Sequence, residues 1–246
     1  MIAAHLSRLA AFAGVLRRDR SGLAMMEFAF TLPLVLTMGG YGIELSYLSV
    51  SNLRVSSAAV NLADNASRVG IQNSGTNVTQ LREVDINDVL QGMKLESAGI
   101  NLTTYGRVTL SSLENVQQAQ DTARVQRIHW QRCIGLKSGV GWDSSYGTTD
   151  AADGTTADTA TNYANQGTAA PTGMGKTGQK VNAPNDSGVM FVEINYLYRP
   201  VFGSMFVNEQ TIQYTQSFVV RDNRDFTRIY NPSPTATLST CDKYTA

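Results

Sequence analysis

The chain has 246 residues, with 20 Lys and Arg against 20 Asp and Glu, so its formal net charge is zero. That balance excludes a protein that grips nucleic acid by a basic face, and the length points to one domain or at most two small ones. Charged residues make up only 16%, and the wealth of Ser, Thr, Asn, Gln, Gly and Ala suits an exported or surface protein.

The first 22 residues read as a leader. Arg8, Arg17, Arg18 and Arg20 stand there with Asp19 as the only acid. The short apolar stretch LAAFAGVL (9–16) runs into RRDR and not into a small-residue cleavage site, so it is not an ordinary secretory signal. From Leu23 the sequence LAMMEFAFTLPLVLTMGGYGI continues for 21 residues to Ile43, broken only by Glu27. About 20 apolar residues in a helix span the hydrocarbon core, which predicts a transmembrane helix over 23–45. Pro33 and the pair Gly39 and Gly40 are tolerable inside such a helix. The basic leader keeps the N-terminus in the cytoplasm, so the chain after about residue 45 is expected to be exported, with a single crossing of the inner membrane.

Glu27 is the anomaly in this run. A carboxylate at that depth costs a few kcal/mol unless it sits near the interface or is paired. It lies about one turn from the start of the run and can snorkel to the headgroups. Cleavage between Gly22 and Leu23 offers a sharper reading. Leu23 would then carry a new α-ammonium, and Glu27, at i+4, would share its helix face or pair with the amine of a neighbouring helix.

Gly22 before the run, the pair Glu27 and Phe28, Leu32 with Pro33, and Gly42-Ile43-Glu44-Leu45 at the exit resemble the TadE family of tight-adherence (Flp) pilus proteins. The likeness covers roughly residues 21–66. It implies a minor pilin or pseudopilin, a type IVb-like structural subunit of pilus biogenesis and adhesion. Such a protein is cleaved by a prepilin peptidase and works with other pilin subunits and the tight-adherence assembly machinery. Gly22 and Leu23 match the cleavage pair, and Glu27 and Phe28 the assembly positions. The Asp-x-Ser-x-Ser metal motif of the long relatives is not found.

Beyond the run, Leu48, Leu53, Val55, Ala59, Val60, Leu62, Ala63 and Val69 recur near helical spacing, with Arg54, Asp64 and Arg68 on the other side. The helix is therefore expected to continue over 46–70 and stop at Gly70, about 70 Å in all. QNSGTNVTQ (72–80) reads as a loop. Ile86, Val89, Leu90 and Met93 predict a short helix over 85–99, with Asp85 as N-cap and Gly99 as stop. Strands are expected at 105–113, 122–135, 188–203 and 211–222. In the second of these, Val125, Arg127, His129, Gln131 and Cys133 alternate with Arg124, Gln126, Ile128, Trp130 and Arg132, so both faces are mixed. Residues 141–187 have few apolar anchors and no periodicity, which predicts a long mobile surface loop. The fold class is α+β: a long N-terminal helix running into a head over 71–246 with a small antiparallel sheet.

Little else in the sequence carries chemistry. APTGMGKT (170–177) approaches a phosphate-binding loop, but that motif needs a strand before it and a helix after it, and neither flank fits. His5 and His129 have no evident metal or nucleophile partners. No enzyme, cofactor, metal or nucleotide is therefore expected. Cys133 and Cys241 would form one bridge in an oxidising compartment, with two free thiols or a bond to another subunit as the alternatives. The rival to the pilin reading is an uncleaved single-span envelope protein whose exported head binds a ligand.

Overall fold

The computed structural model describes residues 13–15 and 21–246. The leader charges Arg8, Arg17, Arg18 and Arg20, and His5, lie outside these. The chain divides into two compact units, one holding the helix through Tyr47 with Pro200–Asn208, the other Leu48–Arg199 with Glu209–Ala246.

Helix α1 runs unbroken over Ser21–Ala66. Gly22–Ala66 contains a window long and apolar enough to cross a membrane, and none of that window is buried in the fold. Leu34, Val35 and Leu36 are consecutive and all exposed, so the helix is apolar all round and not striped. Three of its hydroxyls bond the helix's own carbonyls. Thr31 Oγ1 donates to Glu27 O at 2.8 Å, Thr37 Oγ1 to Pro33 O, and Ser46 Oγ to Gly42 O at 2.8 Å. Pro33 lacks an N–H, so the ladder loses one bond there, a loss that membrane helices accommodate.

In the second unit, α1 changes character. Val55, Ala58, Ala59, Leu62, Ala63 and Ala66 form a buried stripe at the i, i+3, i+4, i+7 spacing. Leu53, expected in that stripe, is exposed. The helix ends at Ala66, where buried Arg224 donates to Ala66 O at 3.1 Å and Val69 O at 2.9 Å. A cation there satisfies carbonyls that the helix leaves without partners and suits the negative end of its dipole.

Residues 72–80 are not a plain loop. Strands β1 (Ile71–Asn73) and β2 (Val78–Gln80) form a hairpin. Three-residue strands are too short to show alternation, and the turn residues between them dominate the local sequence. Helix α2 spans Glu83–Glu96. Asp85 is its N3 residue and not the cap: its carboxylate accepts the backbone N–H of Arg82, the N-cap residue, at 3.0 Å and the Arg82 Nε–H at 3.0 Å. Ser97, not Gly99, ends the helix, its Oγ donating to Met93 O at 2.8 Å. A 3₁₀ turn (Ala98–Ile100) and the short α3 (Leu102–Tyr105) lead into the sheet.

The sheet is antiparallel throughout, in the order β5-β4-β3-β6-β7. Its strands are β3 (Gly106–Val116), β4 (Val125–Ile134), β5 (Thr168–Ala169), β6 (Ser187–Tyr198) and β7 (Gln210–Val219). Long helix plus antiparallel sheet is the α+β architecture. One face carries Val108, Leu110, Val192, Ile194 and Tyr196, all buried. Helix α2 belongs to this face, because Glu83 forms a bidentate pair with Arg132, which stands opposite Leu110. Asn61 of α1 donates to Glu96 of α2 at 2.6 Å, which sets the two helices side by side.

The alternation expected along β4 fails at one residue. Leu113 pairs with Ile128 but Ser112 with Trp130, so His129 is the extra residue of a β-bulge. Paired residues share a face and Ser112 and Leu113 do not. Ile128 and Trp130, two apart, therefore point to opposite sides.

Residues 141–187 cover the other face of the sheet, which is polar at Ser111, Gln131, Glu193 and Asn195 and apolar at Leu113, Ile128, Val189 and Phe191. Gln131 Nε2 donates to Ser111 Oγ at 2.9 Å and to Gly147 O at 3.0 Å. Asn195 donates to Trp142 O at 2.8 Å, and Glu193 accepts the Ser145 N–H at 2.9 Å. The composition of 141–187 predicts a mobile loop. The segment is irregular, with only the two residues of β5 as strand, but it is anchored. Ala170, Met174 and Ala183 are buried against Leu113, Ile128, Val189 and Phe191, with Tyr146 and Val181 packed on them.

The Glu83 and Arg132 pair supplies a stability prediction. Both side chains are almost wholly buried. Glu83→Ala strands the guanidinium and should cost about 3–5 kcal/mol, whereas Glu83→Leu with Arg132→Met should recover most of that loss. Urea denaturation of the detergent-solubilised chain measures both.

Candidate membrane and assembly site

The residues that the sequence singles out for processing lie at the start of α1. Gly22, Leu23, Glu27 and Phe28 are all exposed. The bond between Gly22 and Leu23 falls in the first helical turn, where the amide groups have no intrahelical acceptors and unwinding is cheap. A side chain added at Gly22 would meet nothing within 4 Å. Glu27 is the only charge between Leu23 and Ile43. A helix beginning at Leu23 would place this carboxylate close to its positive end, where the helix dipole favours it.

A second carboxylate marks the far end of the apolar run, and its role was not legible in the sequence. Glu44 is fully buried. Its Oε1 accepts the Val201 N–H and its Oε2 the Phe202 N–H, each at 3.1 Å. These donors lie in the loop Pro200–Asn208 between β6 and β7, in the same compact unit as the apolar helix. The Phe206 ring lies over Gly40: a Cβ there would fall 2.9 Å from two ring carbons. Phe206 also meets Tyr41 and Phe202 edge-on, with centroids 6.2 and 5.8 Å apart. An apolar groove of about 580 Å³ opens between the loop and the helix over 33–43. The sequence signal for this arrangement was only a charge after an apolar run and a distant VFGSMFV.

The remaining candidates lie in the other unit. Cys133 and Cys241 are joined, with Cα atoms 4.8 Å apart. The bond works together with fully buried Arg107, which donates to Cys241 O at 2.6 Å and Lys243 O at 2.8 Å. Both hold the C-terminal tail to the end of the sheet. Beside the bond is a cavity of about 270 Å³ whose walls include Thr109, Gln131, Asp143, Asp150, Asp242 and Tyr244. Among the described residues no group of His, Cys, Asp and Glu is arranged to hold a metal ion.

APTGMGKT follows the two-residue β5 and closes on itself, Met174 and Val181 exchanging N–H···O bonds of 3.0 and 2.8 Å. No helix N-terminus lies in it, and Met174 is a core residue. His129 Nδ1 lies 2.8 Å from Glu114 Oε2, and Ser112 Oγ donates to Glu114 Oε1 at 2.7 Å. The three are buried. The serine bonds to the carboxylate and not to the imidazole, which is not the connectivity of an activated nucleophile.

This buried group gives the stability a pH dependence. Burial disfavours the imidazolium, but the charge and hydrogen bond of Glu114 outweigh it and hold the His129 pKa above the ordinary histidine value. The folded chain therefore keeps this proton more firmly than the unfolded one. The contribution is complete below about pH 6.5, the unfolded value, and is lost as pH rises through the folded one. The thermal midpoint should decline across that interval, and His129→Gln should flatten the decline. Melting curves at stepped pH check it; an unchanged slope in the variant assigns the effect elsewhere.

Compared with protein-family models, with curated proteins and with solved structures, the chain finds no match. The functional reading therefore rests on its own residues.

Proposed function

We propose that the protein is a TadE-like minor pilin or pseudopilin, a non-enzymatic structural subunit of tight-adherence pilus biogenesis. In this reading residues 1–22 are a cytoplasmic leader removed by a prepilin peptidase. Helix α1 holds the subunit in the inner membrane before assembly, and the sheet unit is exported. The observation that carries the proposal is the placement of Gly22 and Leu23 at the head of an all-round apolar, exposed helix, with Glu27 as the fifth residue from the cut.

The physical logic is pairing. Cleavage creates an ammonium at the end of a helix whose dipole is already positive there, and a carboxylate within reach relieves that charge. When helices pack side by side in a low-dielectric medium, a matched pair is favoured and a mismatched one is costly. Glu27 then sets the axial register between subunits.

N-terminal sequencing of the protein purified from membranes tests this. Leu23 as first residue supports processing. Met1 as first residue overturns it and leaves the rival, an uncleaved single-span envelope protein, for which the cavity beside Cys133 and Cys241 is the place to look for a ligand.

A further inference from the structure

We propose that the loop Pro200–Asn208 is a second membrane-embedded element, latched onto α1 by Glu44, and that the groove between them holds an acyl chain of a bilayer lipid. The inference rests on α1 crossing a membrane, as proposed above, and extends it to a part of the chain more than 150 residues away.

Depth is the first argument. The groove is walled by Pro33, Leu36, Gly40 and Ile43 on the helix and by Met205 and Phe206 on the loop. From Pro33 to Ile43 is ten residues, about 15 Å along a helix, which is half of a hydrocarbon core of about 30 Å. If residues 23–43 span, this stretch lies in the leaflet on the exit side. The loop packed on it lies at that depth too.

The loop is built for that environment. Residues 200–208, PVFGSMFVN, carry no charge, and Arg199 and Glu209 close its two ends as an ion pair at 3.5 Å. Val201, Phe202 and Met205 are exposed, Met205 to 75%. Irregular backbone is excluded from hydrocarbon unless its polar groups are satisfied. Glu44 meets that condition for two consecutive loop amides, and Gly40 supplies the room for Phe206 to close.

The occupant follows from continuity and chemistry. Val35, which lines the groove, is exposed, as are its helix neighbours Leu34 and Met38, surface that a bilayer would cover. The groove's one polar helix side chain, Thr37, already donates to Pro33 O and to Leu34 O. No groove side chain has a hydrogen left to donate to an occupant, which suits a hydrocarbon chain.

Nitroxide accessibility in the full chain, reconstituted in phosphatidylcholine vesicles, tests this. Labels go on single cysteines at Met205→Cys, at Leu36→Cys in the span, and at Val140→Cys on the sheet unit. The native cysteines are bonded to each other. The expected result is that labels at 205 and 36 collide more with oxygen than with a water-soluble nickel chelate, and the label at 140 the reverse. Adding Glu44→Ala should raise nickel collisions at 205 several-fold and leave 36 unchanged. A label at 205 that behaves like 140 while 36 stays in lipid overturns the loop insertion alone. Aqueous behaviour at both 205 and 36 overturns the membrane span itself. A label at 205 shielded from both reagents, with dipolar broadening, puts a second copy in the groove and overturns the lipid. Lipid exposure at 205 that survives Glu44→Ala overturns the latch.

Discussion

Gly22→Leu should leave the chain at its full length in the membrane, with no product beginning at Leu23. A peptidase working at the membrane face must draw the first turn of α1 into an extended form, and a bulky side chain before the scissile bond obstructs that fit. The fold does not confound the result, because nothing in the structure stands within 4 Å of a Cβ at this position. The variant should insert and fold like the wild type and differ only in retaining Arg17, Arg18 and Arg20. A retained leader keeps several charges on the cytoplasmic side and denies the helix its free ammonium, so assembly should fail as well. Intact-mass measurement of the membrane fraction decides the matter; maturation of the leucine variant at the wild-type rate would show that the cut is elsewhere.

Glu27→Ala should insert normally and fail to assemble. Removing a carboxylate makes the span more apolar, so insertion does not suffer. The loss is the partner of a desolvated amine, and breaking half of such a pair costs about 3–5 kcal/mol, a hundredfold or more in the packing equilibrium. Glu27→Gln keeps the shape without the charge and should fail like alanine. The backbone role of this residue persists in both, since Thr31 bonds its carbonyl oxygen and not its side chain. Counting surface pili and surface adherence in the two variants is the measurement. Wild-type levels would leave Glu27 as a carboxylate that merely reaches the headgroups.

Some of the fold was legible because the physics is local. The apolar run, the helical stripe from Val55 to Ala66 and the four long strands each announce themselves by the spacing of neighbouring residues. Where the reading slipped, the cause was a partner remote in sequence. Gln131 on β4 and Glu193 on β6 look solvent-facing, yet their partners are the backbone and a hydroxyl of a segment that composition alone marks as loose. The bulge at His129 turned the alternation over in mid-strand, and no local pattern signals a bulge. Asp85 reads as a cap because acids favour that position; Arg82 occupies it instead, since its guanidinium and the Asp85 carboxylate satisfy each other.

By itself, the sequence determined the apolar span, the charge bias of its flanks, the lone carboxylate at position 27, and the two cysteines available for a bond. These are one-dimensional properties: length, hydropathy and spacing act through the bilayer and the helix repeat, with no need of contacts between distant residues. Tertiary structure alone decided what Glu44 binds, why Gly40 is small, what buries Gln131 and Glu193 on the sheet, and how Arg107 and Arg224 hold the tail and the end of α1. Glu44, Gly40, Arg107 and Arg224 meet groups more than 100 residues away in sequence, and Gln131 and Glu193 meet groups 16 and 48 residues away, all within hydrogen-bond or van der Waals distance. Only chain closure can arrange that, and no periodicity records it.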